Sequence, residues 1–257
     1  MPEPRYLSRS DAEALAQKVL SFSTADEARV NINSGTEGNT RFAVNQVSTA
    51  GDAYDATISV TSAFGKKTAS ATTNRFDDES LRQVVQTSER LARLVPEDPE
   101  YLGELPPQQY LPVEPFFDET ANLSPEQRAR AVMEVTAPAA RQNLVSTGFL
   151  THFAGSSTVA NKKGLFAYAR ATGVSFTTTV RTPDGTGSGW AGGGENDFSK
   201  LNFAELGERA IRKAELSRNP RAVEPGEWTV ILEPTAVANM VNLMAFALNA
   251  RTADEGR

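Results

Sequence analysis

Six of the 14 prolines crowd between residues 96 and 115: Pro96, Pro99, Pro106, Pro107, Pro112 and Pro115. Proline fixes φ and offers no N–H to a ladder, so this stretch is neither an inner strand nor a helix. It divides the 257-residue chain into parts that must each find their own regular structure. We read 96–115 as an extended, proline-rich linker.

Before the linker, Ser10-Asp11-Ala12-Glu13 has the form of a capping box, and Ala12, Leu15, Ala16, Val19 and Leu20 follow as a helical stripe. Three strand-like stretches come next. Ala28, Val30 and Ile32 alternate with polar residues, Phe42, Val44 and Val47 mark a second stretch, and Tyr54, Ala56, Ile58 and Val60 a third. A period of two with one polar face predicts antiparallel sheet with one wet side. Phe64-Gly65-Lys66 reads as a hairpin turn into Thr68–Thr73. Asp77 or Asp78 then caps a helix whose stripe is Leu81, Val84, Val85, Ser88, Leu91, Ala92 and Val95.

After the linker, Ser124-Pro125-Glu126-Gln127 joins a capping box to a proline at the first helical position. That helix carries Val132 and Val135 and is expected to kink or end at Pro138. Val145, Thr147, Phe149, Thr151 and Phe153 share one face of a strand. Val159–Ala169, turning at Asn161-Lys162-Lys163-Gly164, and Thr172–Arg181 read as further strands. Asn202-Phe203-Ala204-Glu205 opens another helix, with Leu206, Ala210 and Ala214 inward. Trp228–Leu232 reads as a short apolar strand, and Pro234 starts a helix apolar on most sides, which should be deeply buried.

The expected fold is α+β: two successive layered units of mostly antiparallel sheet with helices, then the opening strand and helix of a third unit. The expected boundaries are 1–95 for an N-terminal domain, 96–115 for the linker, 116–222 for a central domain and 226–257 for an incomplete C-terminal domain. The break-off after the last helix suggests a truncated chain.

Charge and composition exclude several classes of function. With no Cys, disulfide frameworks, thiol catalysis and Cys-ligated zinc are excluded. A net charge of −6 argues against a nucleic-acid surface, which needs clustered cations. Lys66-Lys67 and Lys162-Lys163 read as solvated hairpin tips. No apolar run approaches a membrane span, and Met1-Pro2-Glu3-Pro4-Arg5 has no apolar signal core, so a cytoplasmic setting without a membrane role is expected.

Chemistry-bearing patterns are sparse. The sole histidine, His152, reads as a sheet-face or inter-strand hydrogen-bonding residue, since one His makes neither a two-His zinc site nor a Cys–His pair. Gly187-Ser188-Gly189-Trp190-Ala191-Gly192 matches G-x-G-x-x-G between a strand and a helix. The match fails in detail: the helix cap at Asn202 comes well after Gly192, and the preceding strand alternates rather than being apolar throughout. We read 184–196 as a mobile surface loop, with a functional flap as the alternative. Glu233, Asp254 and Glu255 gather near a helix boundary, but caps and solvated charge account for the carboxylates. No P-loop, G-x-S-x-G or H-E-x-x-H pattern occurs.

The order of the motifs says more. Arg41-Phe42-Ala43, the pair around Phe64-Gly65, Asp77-Asp78-Glu79-Ser80-Leu81, Pro96-Glu97-Asp98-Pro99, Asn161-Lys162-Lys163-Gly164, Ala210–Ala214 and Pro225-Gly226-Glu227-Trp228-Thr229-Val230-Ile231-Leu232-Glu233-Pro234 occur in sequence. Together they resemble the TldD/PmbA (TldD/TldE-type) metallopeptidase family, once called modulators of DNA gyrase, over about the first half of a full-length member. In that family the TldD-type subunit carries His-Glu-x-x-x-His on the helix after this strand. Here the corresponding residues, 237–249, hold no His, Glu, Asp or Cys. The resemblance therefore implies a PmbA/TldE-like chain with no catalytic, cofactor-binding or metal-binding residue of its own. It further implies a TldD-type partner that carries the zinc, and a peptide substrate. A peptide- or protein-binding module without peptidase activity, or a truncated relic with an exposed Val237–Leu248 face, are the rival expectations.

Overall fold

The computed structural model describes residues 6–111 and 115–256. The N-terminal Met1–Arg5, Pro112–Glu114 of the linker and Arg257 lie outside the described residues. The chain forms two units, one running to Pro220 and one from Arg221.

The first unit is built on one antiparallel sheet. Its strands are β1 (Glu27–Ala43), β2 (Gln46–Phe64), β3 (Lys67–Thr73), β4 (Val145–Asn161), β5 (Phe166–Arg181) and β6 (Ser188–Glu195). Their spatial order is β3-β2-β1-β4-β5-β6. Thus β1 and β4 pair along most of their lengths, and sequence on both sides of the linker shares one sheet. The helices are α1 (Arg9–Ser21), α2 (Asp78–Leu94), α3 (Asp118–Ala121), α4 (Pro125–Arg141) and α5 (Phe203–Leu216).

The second expected stretch straddles a hairpin: Phe42 lies in the same strand as the first stretch, Val44 in the turn and Val47 in β2. Residues 28–33 and Phe42 belong to a 17-residue β1 whose even-numbered positions are mostly buried throughout. Gly35, Gly38 and several polar residues interrupt the apolar alternation without interrupting the ladder. The strand ends at a hairpin turn where Val44 and Asn45 take φ values of 52° and 61°. Asn45 suits that left-handed conformation; a β-branched valine is unusual there. The Asn45 side chain pins the turn, donating to Leu144 O and accepting from the Ser146 amide and hydroxyl.

Helix ends follow the capping chemistry closely. Ser124 and Gln127 form the expected capping box, and Asp77 and Asn202 cap α2 and α5. The first cap falls earlier than expected: Ser8, not Ser10, accepts from the Asp11 amide. Helix α4 runs one turn past Pro138, which forfeits a single bond near a helix end.

The helices cover one face of the sheet in two groups. Ala16, Val19, Val30, Ile32, Ile58, Val60, Leu81, Val85 and Ala160 close one core under α1 and α2. Phe42, Val132, Val135, Leu150, Phe176, Phe203, Leu206 and Ala210 close the other under α4 and α5. Phe42 stacks on Phe176, whose edge meets Phe203. Val145, Thr147, Phe149, Thr151 and Phe153 do share a face, as the pattern implies, but it is the helix-free one; Leu150 and His152 point to the helices.

The glycine-rich segment departs from the loop expected for 184–196. Residues 188–195 form β6, paired antiparallel with Val174–Arg181. Its glycines admit a helix rather than a phosphate. A Cβ on Gly187 would collide with Ala214 O, and one on Gly189 with Ala210 O, both on α5. Composition hid the strand because close packing replaced side chains with backbone.

The linker contains no regular structure where described, and its anchors lie on the hairpins. Glu27 accepts from the Tyr101 hydroxyl and the Glu104 amide and pairs with Lys163 at 2.5 Å. Lys163 Nζ also donates to Glu104 O, Asn161 Nδ2 to Leu105 O and Lys66 Nζ to Pro99 O. The lysine pairs sit at hairpin tips as expected, yet Lys66 and Lys163 are linker anchors rather than merely solvated. A segment rich in proline has carbonyls to satisfy and few amides to satisfy them with, so side-chain donors take over. The Lys163 ammonium accordingly holds the Glu27 carboxyl below the usual carboxylate range.

The second unit contains α6 (Pro234–Ala247) and α7 (Ala250–Asp254). Helix α6 forms where its pattern predicts, but Trp228–Leu232 joins no ladder among the described residues. The expectation of deep burial also fails: Leu243 and Phe246 are 73% and 86% exposed. A 14-residue helix apolar on most sides needs cover all round, which one further turn of helix does not provide. Among the described residues no helix is long and apolar enough to cross a membrane.

The packing of α5 on β6 gives a direct test. Gly189→Ala should lower unfolding free energy by about 1–3 kcal/mol, the usual cost of overpacking against atoms that cannot yield. Urea denaturation followed by circular dichroism measures it, with Gly185→Ala in the exposed hairpin loop, where φ is +74° and the space is open, as a comparison for backbone strain alone.

Candidate functional site

The two cores are separated by a polar seam on the helix-covered face. Ser34 and Ser156 hydroxyls meet at 3.0 Å across β1 and β4. Further along, Asp52 of β2, Gly38 of β1 and His152 of β4 form one row across three strands. Arg128 enters this row from the first turn of α4.

Arg128 is fully buried. Its Nη1 donates to Asp52 Oδ1 at 2.8 Å and to Leu123 O at 3.2 Å, and its Nε to Thr40 Oγ1 at 3.2 Å. Gly38 makes the row possible: a Cβ there would lie 2.5 Å from both Arg128 Nη1 and Asp52 Oδ1, and would overlap the His152 ring. Asp52 remains one-third exposed, so water shares its charge, whereas the arginine depends on protein partners. Arg128 Nη2 and His152 Nδ1 are buried without a protein partner among the described residues.

His152 is therefore on a sheet, as expected, but lies at the foot of this cluster and is only 5% exposed. Burial pushes its imidazole down to about 4, the Arg128 cation adds to the effect, and Asp52 opposes it. The ring is neutral at pH 7 and shielded from solvent, which suits a structural residue better than a proton carrier.

A second feature lies where α1, the linker and β5 meet. A groove of about 1290 Å³ is lined by Tyr6, Arg9, Tyr110, Phe166, Tyr168 and Arg170, with Asn31 and Asn33 among its other walls. Arg9 lies 5.2 Å over the Phe166 ring and Arg170 4.3 Å over Phe116. Such guanidinium–ring stacking stiffens the walls.

The other singled-out residues do not converge. Glu233 stands at the N-cap position of α6 with no side-chain capping bond, Asp254 ends α7, and Glu255 pairs with Arg251. Among the described residues no three His, Cys, Asp or Glu side chains gather closely enough to hold a metal ion. Sequence reasoning missed Arg128 and Asp52. The signal was present: Arg128 stands on the same helical face as Ala131, Val132, Val135 and Ala139, and a cation within an apolar stripe needs a buried partner.

Comparison with known proteins follows this architecture. Residues 28–92 match the model of PmbA/TldA metallopeptidase domain 1, and residues 118–218 that of the PmbA/TldA metallopeptidase central domain. The chain belongs to the PmbA/TldD family. Its fold resembles TldE from Thermococcus kodakarensis, at 17% identity and a TM-score of 0.67 over 79% of this chain and 47% of that one. It also resembles two proteins described as candidate modulators of DNA gyrase. The one from Thermotoga maritima shows 16% identity and a TM-score of 0.74 over 83% of this chain and 50% of that one. The one from Bacteroides thetaiotaomicron shows 15% identity and a TM-score of 0.78 over 93% of this chain and 57% of that one. This PmbA/TldD chain thus spans about half the length of the solved structures it resembles. No curated protein sequence matches it.

The seam yields two predictions. Asp52→Ala strands the buried Arg128 charge and should cost about 3–5 kcal/mol, whereas adding Arg128→Met should recover much of the loss, since replacing a buried pair by apolar groups is often neutral. A double-mutant cycle by urea denaturation reads the coupling.

The second concerns pH. The unfolded chain protonates its histidine near pH 6.5, but native His152 stays neutral down to about 4. Stability should therefore fall as pH is lowered across that interval, by on the order of 2–3 kcal/mol. In His152→Gln the decrement between pH 7 and pH 4.5 should shrink by about that amount; an unchanged decrement would assign the acid sensitivity to other groups.

Proposed function

We propose that this chain acts as a PmbA/TldE-type, non-catalytic subunit of a zinc-dependent peptidase that processes unfolded peptides. A TldD-type chain is its partner and carries the metal. The observation that carries the reading is the chemistry of α6. This helix follows the Pro225–Leu232 segment, and it is on this helix that the resemblance places the TldD-type motif. From Val237 to Asn249, the helix and the two residues after it carry only apolar side chains and asparagines. These do not fit a zinc ion, which takes His, Cys or carboxylate ligands, and they include no base for an attacking water. Similarity in fold to TldE supports the same side of the family.

What this chain then contributes is surface. Its six-stranded sheet leaves one face open, carrying Phe149, Phe153 and Trp190 among small and polar side chains. A second reading, a peptide-binding module that acts without a peptidase partner, is favoured by the long stretch of β2 that has no outer neighbour in the sheet.

Co-expression with a TldD-type chain from the same source separates the readings. The subunit role predicts a stable complex, zinc bound in proportion to the partner alone, and cleavage of an unfolded peptide that requires both chains. A lack of association together with cleavage unaffected by this chain would overturn it.

A further inference from the structure

We propose that the outer edge of β2, from Ala50 to Ala56, takes up an extended peptide strand that places a basic side chain opposite Asp55.

The edge follows from the register. Strand β3 pairs with β2 only from Ile58 to Phe64, while β1 pairs with β2 along its whole length. On β1 the carbonyls of Ala28 and Ser34 face β4: Ala28 O accepts from the Lys162 amide, and Ser34 O lies against Gly155. Odd-numbered β1 residues therefore turn their main-chain groups to β2. Their partners there are Gly51, Ala53 and Asp55, opposite Asn39, Glu37 and Gly35. Alternation then directs the N–H and C=O groups of Ala50, Asp52, Tyr54 and Ala56 outward, where the described residues supply no ladder partner.

This edge has definite ends. The ladder irregularity beside Arg41 and Phe42 closes it near the hairpin turn, and Thr73, opposite Ile58, closes it at the other side. Two usual guards of an exposed edge are missing: residues 46–57 contain neither proline nor lysine. The inward charge of Asp52 is met by Arg128 from beneath, which holds the strand to α4 without repelling a neighbour.

Charge selects the occupant. Asp55 and Glu37 are both exposed on the helix-free face near the edge, and no ion pair engages either among the described residues. Because Asp55 directs its main chain inward, the residue opposite it on an added strand belongs to a non-hydrogen-bonded pair, where side chains approach most closely. A lysine or arginine there completes an ion pair. A second copy of this chain is disfavoured, since pairing β2 with itself gathers two sets of Asp52, Asp55 and Glu37 at one seam in a chain of net charge −6. Strand addition of this kind draws its affinity from main-chain bonds and its selectivity from alternate side chains. The inference does not depend on a TldD-type partner, and its test contains none.

The test uses the full chain and three fluorescein-labelled heptapeptides. Two alternate threonine and valine around a central lysine or a central glutamate; the third is interrupted by proline. Fluorescence anisotropy should show binding of the lysine peptide and roughly tenfold weaker binding of the glutamate peptide, about what opposite against like charge is worth across a strand pair. Asp55→Lys, an exposed change, should invert that order. Tyr54→Pro removes one outward N–H and no inward one, and should abolish binding while leaving the thermal midpoint near that of the parent. Hydrogen exchange should be fast at Ala50, Asp52, Tyr54 and Ala56 in the free chain and slow with the lysine peptide. Binding of the lysine peptide no tighter than the proline-interrupted control, or a charge preference unmoved by Asp55→Lys, would overturn the proposal. So would concentration-dependent protection of the four amides without peptide, which would make a second copy the occupant.

Discussion

The buried ion pair of Arg128 and Asp52 ties the architecture together. It joins a helix that follows the linker to a strand that precedes it, across a position where only glycine leaves room. Each core alone is an ordinary helix-on-sheet layer. What sets their relative placement is the polar seam, and within it a guanidinium whose charge has no solvent to fall back on. Such a pair adds little net stability compared with an apolar contact of the same shape, yet it penalises any arrangement that separates its members. The sheet is continuous because β1 meets β4; the helical layers sit in register because Arg128 meets Asp52.

The same logic explains which features were legible in the sequence. Helix caps were, because they are local: Ser124 with Gln127, Asp77 and Asn202 each stand where a hydroxyl, carboxylate or amide meets a free N–H within three residues. Alternation over Ala28–Ile32 and Tyr54–Val60 was legible for the same reason. The continuity of β1 through Gly35 and Gly38 was not, because those glycines answer to β4 and to Arg128, partners far along the chain. The strand β6 was hidden likewise, its glycines being fitted to the backbone of α5. The family could be named from the order of weak motifs, although His152 and the Gly187–Gly192 pattern, taken alone, pointed nowhere useful.

The linker shows how a segment with little hydrogen-bonding capacity is nonetheless held. Its carbonyls are met by lysines from two hairpin tips and by Asn161, and its amide at Glu104 is met by Glu27. An acidic counterpart holds the residues just before β1 in the same unit. Glu89 accepts from the Thr24 hydroxyl and amide, from Ser23 and from the Ala25 amide. Burial alone would raise its pKa, but these donors outweigh burial and lower it. Both devices use one ionised side chain to settle several backbone groups that the sheet and helices leave over.

The pairing of β1 with β4 bears on how the chain is made. Ser34 and Ser156, which meet in the sheet, are 122 residues apart. At roughly 5–20 residues per second a ribosome needs about 6–25 seconds to bridge that interval. Through all of it the inner edge of β1 is complete and its neighbour does not yet exist. A nascent chain of this design is most open to mispairing along its most central strand, which makes prompt chaperone cover or slow local collapse a matter of synthesis rather than of the finished fold.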